Sequence, residues 1–182
     1  MDFGFNEEQE MLRKAARDFL EKECPKTLVR QMEEEERGYS PELWQKMAEL
    51  GWMGLTFPEQ YGGSGFTFLD LALLLEEMGR ALLPSPFVPT VVHCGLPILK
   101  FGTEAQKQEL LPKIANGELI MTLALTEPSA RYDAAEVNCK AVPEGDGYVM
   151  SGTKLFVPDA HIADKLLCAA RTSEGVEEGI TL

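Results

Sequence analysis

The sequence predicts an α+β fold: an all-α N-terminal helical bundle over residues 1–117, then an incomplete antiparallel β domain over 118–182. Two observations predict it. Up to Gly117, apolar residues recur at helical spacing behind recognisable capping residues. Beyond Gly117 the period shortens, and short β-rich stretches alternate with turn residues. Helices followed by a run of strands imply segregated α and β layers.

Asn6, with Gln9 three residues on, has the pattern of a capping box. Behind it Met11, Leu12, Ala15, Ala16, Phe19 and Leu20 lie on one stripe. QMEEEERGY, at 31–39, reads as an acidic loop or frayed turn facing solvent. Ser40-Pro41 supplies a cap and a proline at the first helical position, opening a helix that buries Leu43, Met47 and Leu50 and stops at Gly51. GWMGLTFPEQYGGSGFT follows, a long loop with five glycines. Its GGSG fits neither the GxGxxG nor the GxxxxGK[ST] spacing, so the glycines are read as turn formers rather than a phosphate cradle. Thr67 with Asp70 caps the LDLALLLEEMG helix, whose nearly all-round apolar character places it centrally in a bundle. The segment LLPSPFVPTVVHCGLPILKFG is punctuated by prolines, and His93 within it is read as a satisfied structural histidine. Thr103 with Gln106 opens the last helix, TEAQKQELLPKIANG. The expected core is Leu12, Phe19, Leu43, Met47, Leu71, Leu74, Leu75 and Ile114.

ELIMTLALTE, EVNCKAV, YVMSGTKLFV and DKLLCAART read as short strands, with Gly145-Asp146-Gly147 as a hairpin turn. About four strands are too few to close a sandwich or barrel, so the chain is expected to stop inside its second domain.

Composition narrows the function classes. With 45% hydrophobic and 26% charged residues the chain can bury a sizeable core. A formal charge of −13 argues against a nucleic-acid surface. No apolar run approaches the ~20 residues of a membrane span. The acidic start MDFGFNEEQE lacks the features of a signal or transit peptide, which implies a cytoplasmic protein. Cys24, Cys94, Cys139 and Cys168 are scattered, without a CxxC pair, and read as reduced thiols with no metal role.

One set of motifs is more specific. A capped first helix, LGWMGLTFPEQYGGSG, LLLEEMGR, FGTEAQKQELLPKIANGE, LALTEP and GTKLFV follow one another in an order that resembles the acyl-CoA dehydrogenases. These flavoenzymes introduce a double bond between Cα and Cβ of an acyl-CoA. The resemblance covers the whole chain and rests on order and spacing, since no single motif decides it.

The chemistry of LALTEP agrees. A flavin ring is apolar on its faces and polar at its rim, and suits a hydrophobic strand that ends in hydrogen-bonding groups. Leu123 and Leu125 alternate, Thr126 offers a hydroxyl and Pro128 fixes the turn. The resemblance implies that this strand end lies along FAD, with Thr126 bonded near the ring and Phe156, Val157 and Pro158 alongside on a second strand. It also implies an acyl-CoA substrate, an electron-transfer flavoprotein or similar acceptor, and a homo- or hetero-oligomer for the complete protein.

The sequence departs from the family pattern at three positions. Arg131 replaces a glycine, with a flavin or CoA phosphate or plain solvent as its alternatives. Tyr132 takes the place of a serine that helps hold the acyl-CoA, which makes it the substrate-binding candidate. Pro158 stands where many relatives carry a hydroxyl that reaches flavin N5, and it offers neither hydroxyl nor N–H. The family reaction also needs a carboxylate that removes the α-proton, and the resemblance places it in a second helical domain after the β domain. No catalytic residue is therefore assigned, and Glu127 is read as part of the strand-end motif rather than as the base. By itself the 182-residue chain is expected to be inactive. The alternative is a non-catalytic partner subunit or binding protein on the same scaffold.

Overall fold

Side-chain caps set most of the helix starts. In the computed structural model, which describes residues 4–129, 131, 133–174 and 179–182, helix α1 (Glu7–Glu23) begins at a complete capping box. Asn6 Oδ1 accepts the Gln9 N–H at 2.8 Å, and Gln9 Oε1 accepts the Asn6 N–H at 3.1 Å. Helix α2 (Lys26–Glu34) follows at once. It corrects the reading of 31–39 as a loop, since residues 31–34 are helical. Leu28, Val29 and Met32 give this stretch a packed face that outweighs its exposed glutamates. Helix α3 (Pro41–Glu49) starts at Ser40, whose Oγ accepts the Leu43 N–H at 3.2 Å.

The glycine-rich loop contains a short 3-10 turn (Glu59–Tyr61) and spends its amides internally. Gly63 N–H donates to Pro58 O, Ser64 N–H to Gly54 O, Gly65 N–H to Phe57 O and Phe66 N–H to Leu55 O. None of these four donors is left to hold a phosphate, in keeping with a loop built for its turns.

Helix α4 (Phe68–Ala81), capped by Thr67 and Asp70, packs along α1. Its buried Glu77 carboxylate accepts from Arg17 of α1, with Nε at 2.9 Å, and from Arg80 Nε at 3.0 Å. Arg80 Nη2 continues to Glu21 at 2.6 Å. The proline-punctuated segment is helical as well. A π-helical turn (Val88–Gly95) runs directly into α5 (Leu96–Phe101). Pro97 lacks the N–H that an α-helix would direct at the carbonyl of residue 93, and the wider π turn accommodates its ring. His93 is exposed, which corrects its reading as a satisfied structural histidine. Helix α6 (Glu104–Ala115) begins at the Thr103–Gln106 box.

Leu43, Met47, Leu71, Leu74 and Ile114 are buried, and Leu12, Phe19 and Leu75 pack half-buried against them. Met11, read on the apolar stripe of the first helix, is 71% exposed, and Leu50, expected to be buried by the second, is 51% exposed. Helix α1 is covered mainly by α4, so its buried stripe is narrower than its apolar one. Leu50 is the cap residue of α3, where the chain is already turning away.

The β part comprises β1 (Met121–Ala124), β2 (Lys140–Glu144), β3 (Gly147–Ser151), β4 (Lys165–Cys168), β5 (Ala170–Arg171) and β6 (Ile180–Thr181). β2 and β3 form the expected hairpin around Gly145-Asp146, and β5–β6 is also antiparallel. β1–β4 form a separate parallel pair, and the parallel β2–β5 contact makes the four-stranded sheet β3-β2-β5-β6 mixed rather than purely antiparallel. No strand forms over residues 152–158.

Hydrogen bonds from two helical residues and from the approach to β4 hold the start of β1 and the residues before it. Trp44 Nε1–H donates to Gly117 O at 2.8 Å. Thr90 Oγ1 donates to Met121 O at 3.0 Å and lies 3.2 Å from the Met121 N–H it accepts. Asp164 Oδ2 accepts the Ile120 N–H at 2.9 Å, and Asp164 N–H returns a bond to Ile120 O. By contrast, residues 142–151 of the hairpin are exposed throughout. Amide exchange in β3 is therefore expected to be much faster than in α4, because protection follows local burial. Equal protection of the two by exchange mass spectrometry would contradict this.

Candidate functional site at the end of strand β1

Strand β1 packs against the π-helical turn and projects its C-terminal end beyond the helices. Met121 is buried and Leu123 packs half-buried against the helical core. At Ala124 the sheet is closed by the Ala169 N–H at 3.1 Å. The chain then continues as Leu125, which is 40% exposed, and the half-buried Thr126. The Thr126 hydroxyl makes no hydrogen bond to any described residue.

Glu127 turns the other way and is buried. Its carboxylate accepts Asn138 N–H at 2.8 Å, Cys139 N–H at 3.0 Å and Lys154 Nζ at 2.7 Å. Burial alone would raise its pKa, but the bonds from Lys154 and from the Cys139 and Asn138 amides together hold it below the ordinary carboxylate range. The same Lys154 Nζ reaches Leu125 O at 3.2 Å. This buried pair was invisible to motif reading, although a lysine within GTKLF and a glutamate within LALTEP are the two charges that an apolar setting would force together.

Leu155 N–H donates to Thr126 O at 2.8 Å and so brings residues 156–158 beside the strand end. Although 152–158 is not a strand, Phe156, Val157 and Pro158 do follow the segment bonded to Thr126. Phe156 is 87% exposed and adopts φ +51°, an uncommon conformation for a bulky residue. Val157 is half-buried and Pro158 exposed. Exposed Leu125 and Phe156, with the Thr126 hydroxyl that has no hydrogen-bond partner among the described residues, mark the strand end as an apolar ledge. A cleft of about 300 Å³ adjoins it, lined by Leu125, Glu127, Val137 and Ala169 among others. A larger cleft of about 770 Å³ lies between α5–α6 and β4, with Ile98, Phe101, Leu110 and Leu166 on its walls.

Arg131 is exposed and pairs with Glu136 at 2.9 Å. Tyr132 lies outside the described residues. All four cysteines are free thiols. Among the described residues no group of three or more His, Cys, Asp and Glu side chains is placed to hold a metal ion.

A family model of the acyl-CoA dehydrogenase N-terminal domain matches residues 6–118, and one of the middle domain matches 122–182. The chain belongs to the acyl-CoA dehydrogenase family. It is 36% identical over 177 residues to a probable acyl-CoA dehydrogenase of Bacillus subtilis, covering 96% of this chain and 46% of that protein. Among solved structures, an acyl-CoA dehydrogenase from Geobacillus kaustophilus matches with a TM-score of 0.86 at 34% identity, over 100% of this chain and 48% of that one. PigA in its FAD complex matches with a TM-score of 0.80 at 29% identity, over 97% of this chain and 46% of that one. The chain thus spans less than half the length of the relatives it matches. In terms of the acyl-CoA dehydrogenase family, the ledge lies in the stretch matched to the middle domain, and the helices that pin β1 lie in the stretch matched to the N-terminal domain.

Proposed function

We propose that this chain is part of a flavin-dependent acyl-CoA dehydrogenase, an oxidoreductase of fatty acid metabolism acting on an acyl-CoA thioester, with residues 1–117 as its helical domain and 118–182 as part of its flavin-binding β domain. Leu123, Leu125, Thr126, Phe156, Val157 and Pro158 are the residues proposed to hold FAD. The observation that carries the reading is the ledge itself: an unpaired Thr126 hydroxyl beside a nearly bare Phe156 ring in a strained backbone conformation. A flat ring with a polar rim matches that chemistry.

When bound, FAD would supply the acceptor for the β-hydride and a route for its electrons to an electron-transfer flavoprotein or similar partner. The chain's own residues bind and orient. The Thr126 hydroxyl would donate to an acceptor on the ring rim, while Leu125 and Phe156 would keep water from the ring. Tyr132 contacts the acyl-CoA. Glu127 does not take the α-proton, because its oxygens are occupied and its pKa is depressed. Proton abstraction therefore falls to a carboxylate outside this ledge, and the 182-residue chain by itself is expected to be inactive and to hold FAD weakly. A cytoplasmic, oligomeric complete enzyme completes the proposal. No described helix is long and apolar enough to cross a membrane.

The test is an FAD titration followed by flavin fluorescence. Thr126→Ala is expected to weaken binding about 5- to 150-fold, the equivalent of ~1–3 kcal/mol for one lost bond to a partner left unpaired. Pro158→Thr, which adds a donor, is expected to retain the cofactor. Unchanged binding in Thr126→Ala together with lost binding in Pro158→Thr would refute this placement of the ring.

A further inference from the structure

The Glu127–Lys154 pair sits behind the ledge, and nothing in the proposed chemistry uses it. Its two side chains are 7% and 9% exposed, and the ammonium bridges Glu127 Oε1 at 2.7 Å and Leu125 O at 3.2 Å. It therefore grips the chain on both sides of Thr126. The next residue completes the hold, as Leu155 N–H bonds Thr126 O at 2.8 Å. Two consecutive carbonyls, of Leu125 and Thr126, are thus held by two consecutive residues, Lys154 and Leu155. Asn138 N–H holds the other carboxylate oxygen and Cys139 N–H shares Oε1 with Lys154, which ties the clamp to the approach to β2.

Leu125 and Glu127 both line the cleft beneath the strand end and Thr126 does not, as alternation of successive side chains would have it. The Thr126 hydroxyl has no hydrogen-bond partner among the described residues. We propose that Lys154, acting through Glu127 and the Leu125 carbonyl, is the positioning residue that aims the Thr126 hydroxyl at the flavin rim. This inference rests on the flavin reading of the ledge. An ion pair is suited to the task because a buried ammonium and carboxylate tolerate little change in geometry before each is left unpaired. Its role is to fix a direction, whatever its net contribution to folding.

The experiment has one arm without cofactor and one with it. In the Lys154→Met chain, exchange of the Leu155 amide, followed by NMR, is expected to accelerate at least about tenfold while α4 amides are unchanged, because loss of the clamp opens locally. Should burial of an unpaired Glu127 prevent folding, the Glu127→Gln/Lys154→Met double variant removes both charges and reports the same amide. Unchanged Leu155 exchange in the variant that folds overturns the inference, whether or not FAD binds. In the second arm, Thr126→Ala and Lys154→Met are each expected to weaken FAD binding, and their combination to weaken it no further than Thr126→Ala alone. Additive losses would mean that Lys154 does not act through Thr126, and would also overturn the inference. If the parent chain shows no FAD binding under any condition, the flavin reading fails, and the exchange arm still decides whether the clamp exists.

Discussion

Replacing Phe57 with alanine is expected to lower stability by about 3–5 kcal/mol, the usual cost of deleting a fully buried ring. Phe57 is 0% exposed and lies at the centre of the glycine-rich loop. Its ring fits against the π-helical turn so closely that a Cβ at Gly95 would lie 2.6 Å from Phe57 Cζ. The loop has little regular structure to hold it, so the ring is its main anchor. Its carbonyl also accepts the Gly65 N–H at 2.9 Å, and losing the anchor loosens that bond too. For a chain of this size the melting temperature should fall by roughly 6–20 °C. A variant that melts within about 2 °C of the parent would show that the cavity collapses without cost.

Arg17→Ala is expected to have the second largest effect, about 2–4 kcal/mol, by leaving the buried Glu77 carboxylate with Arg80 as its remaining cationic partner. The effect lies toward the low end for a buried pair because Arg17 is itself 43% exposed. The dependence on pH gives a sharper test. The Arg17 hydrogen bond, opposed by burial and aided by Arg80, holds the Glu77 pKa below its ordinary value of 4.5. A depressed carboxylate contributes stability above its unfolded pKa and loses it as pH falls through the folded one. The deficit of Arg17→Ala should therefore be full at neutral pH and shrink on acidification below about 4.5. Urea unfolding at a series of pH values measures it, and a deficit independent of pH would assign the loss to packing alone.

What the sequence made legible was mostly local. The capping pairs Asn6–Gln9, Thr67–Asp70 and Thr103–Gln106, and the Ser40-Pro41 start, lie within one turn, so residue identity is enough to place them. The strand that runs into LALTEP could be read in the same way, from its own apolar residues. The misreadings needed knowledge of distant neighbours. Glutamates masked α2, because its Met32 counts as a core residue only once the bundle is assembled. Prolines masked the π-helical turn. The pairing of β1 with β4 joins segments more than 40 residues apart, and such parallel partners leave no turn motif between them. GTKLFV has the alternation of a strand, yet among the described residues it pairs with no other strand, so propensity did not become structure. The Glu127–Lys154 clamp went unseen for the same reason, since burial decided what two ordinary surface residue types would do.

The bonds that join Trp44, Thr90 and Asp164 to residues 117–121 have a consequence for aim. A strand mounted on the bundle at its root works as a pointer. From Met121 to Thr126 the chain advances about 16 Å, so a tilt of roughly 4° at the root moves the tip by about 1 Å. An error of that size can cost a positioned group much of its effect. Angular tolerance at the tip therefore depends on groups far from it as well as on the Lys154 clamp, since an indole N–H and a threonine hydroxyl hold the root of the strand. Gly117 tightens the pivot further, with φ +72° and no room for a Cβ, which would sit 2.9 Å from Ala48 Cβ. The helical bundle acts as the mount of a sighting device, and its stiffness is passed along β1 to whatever the strand end presents.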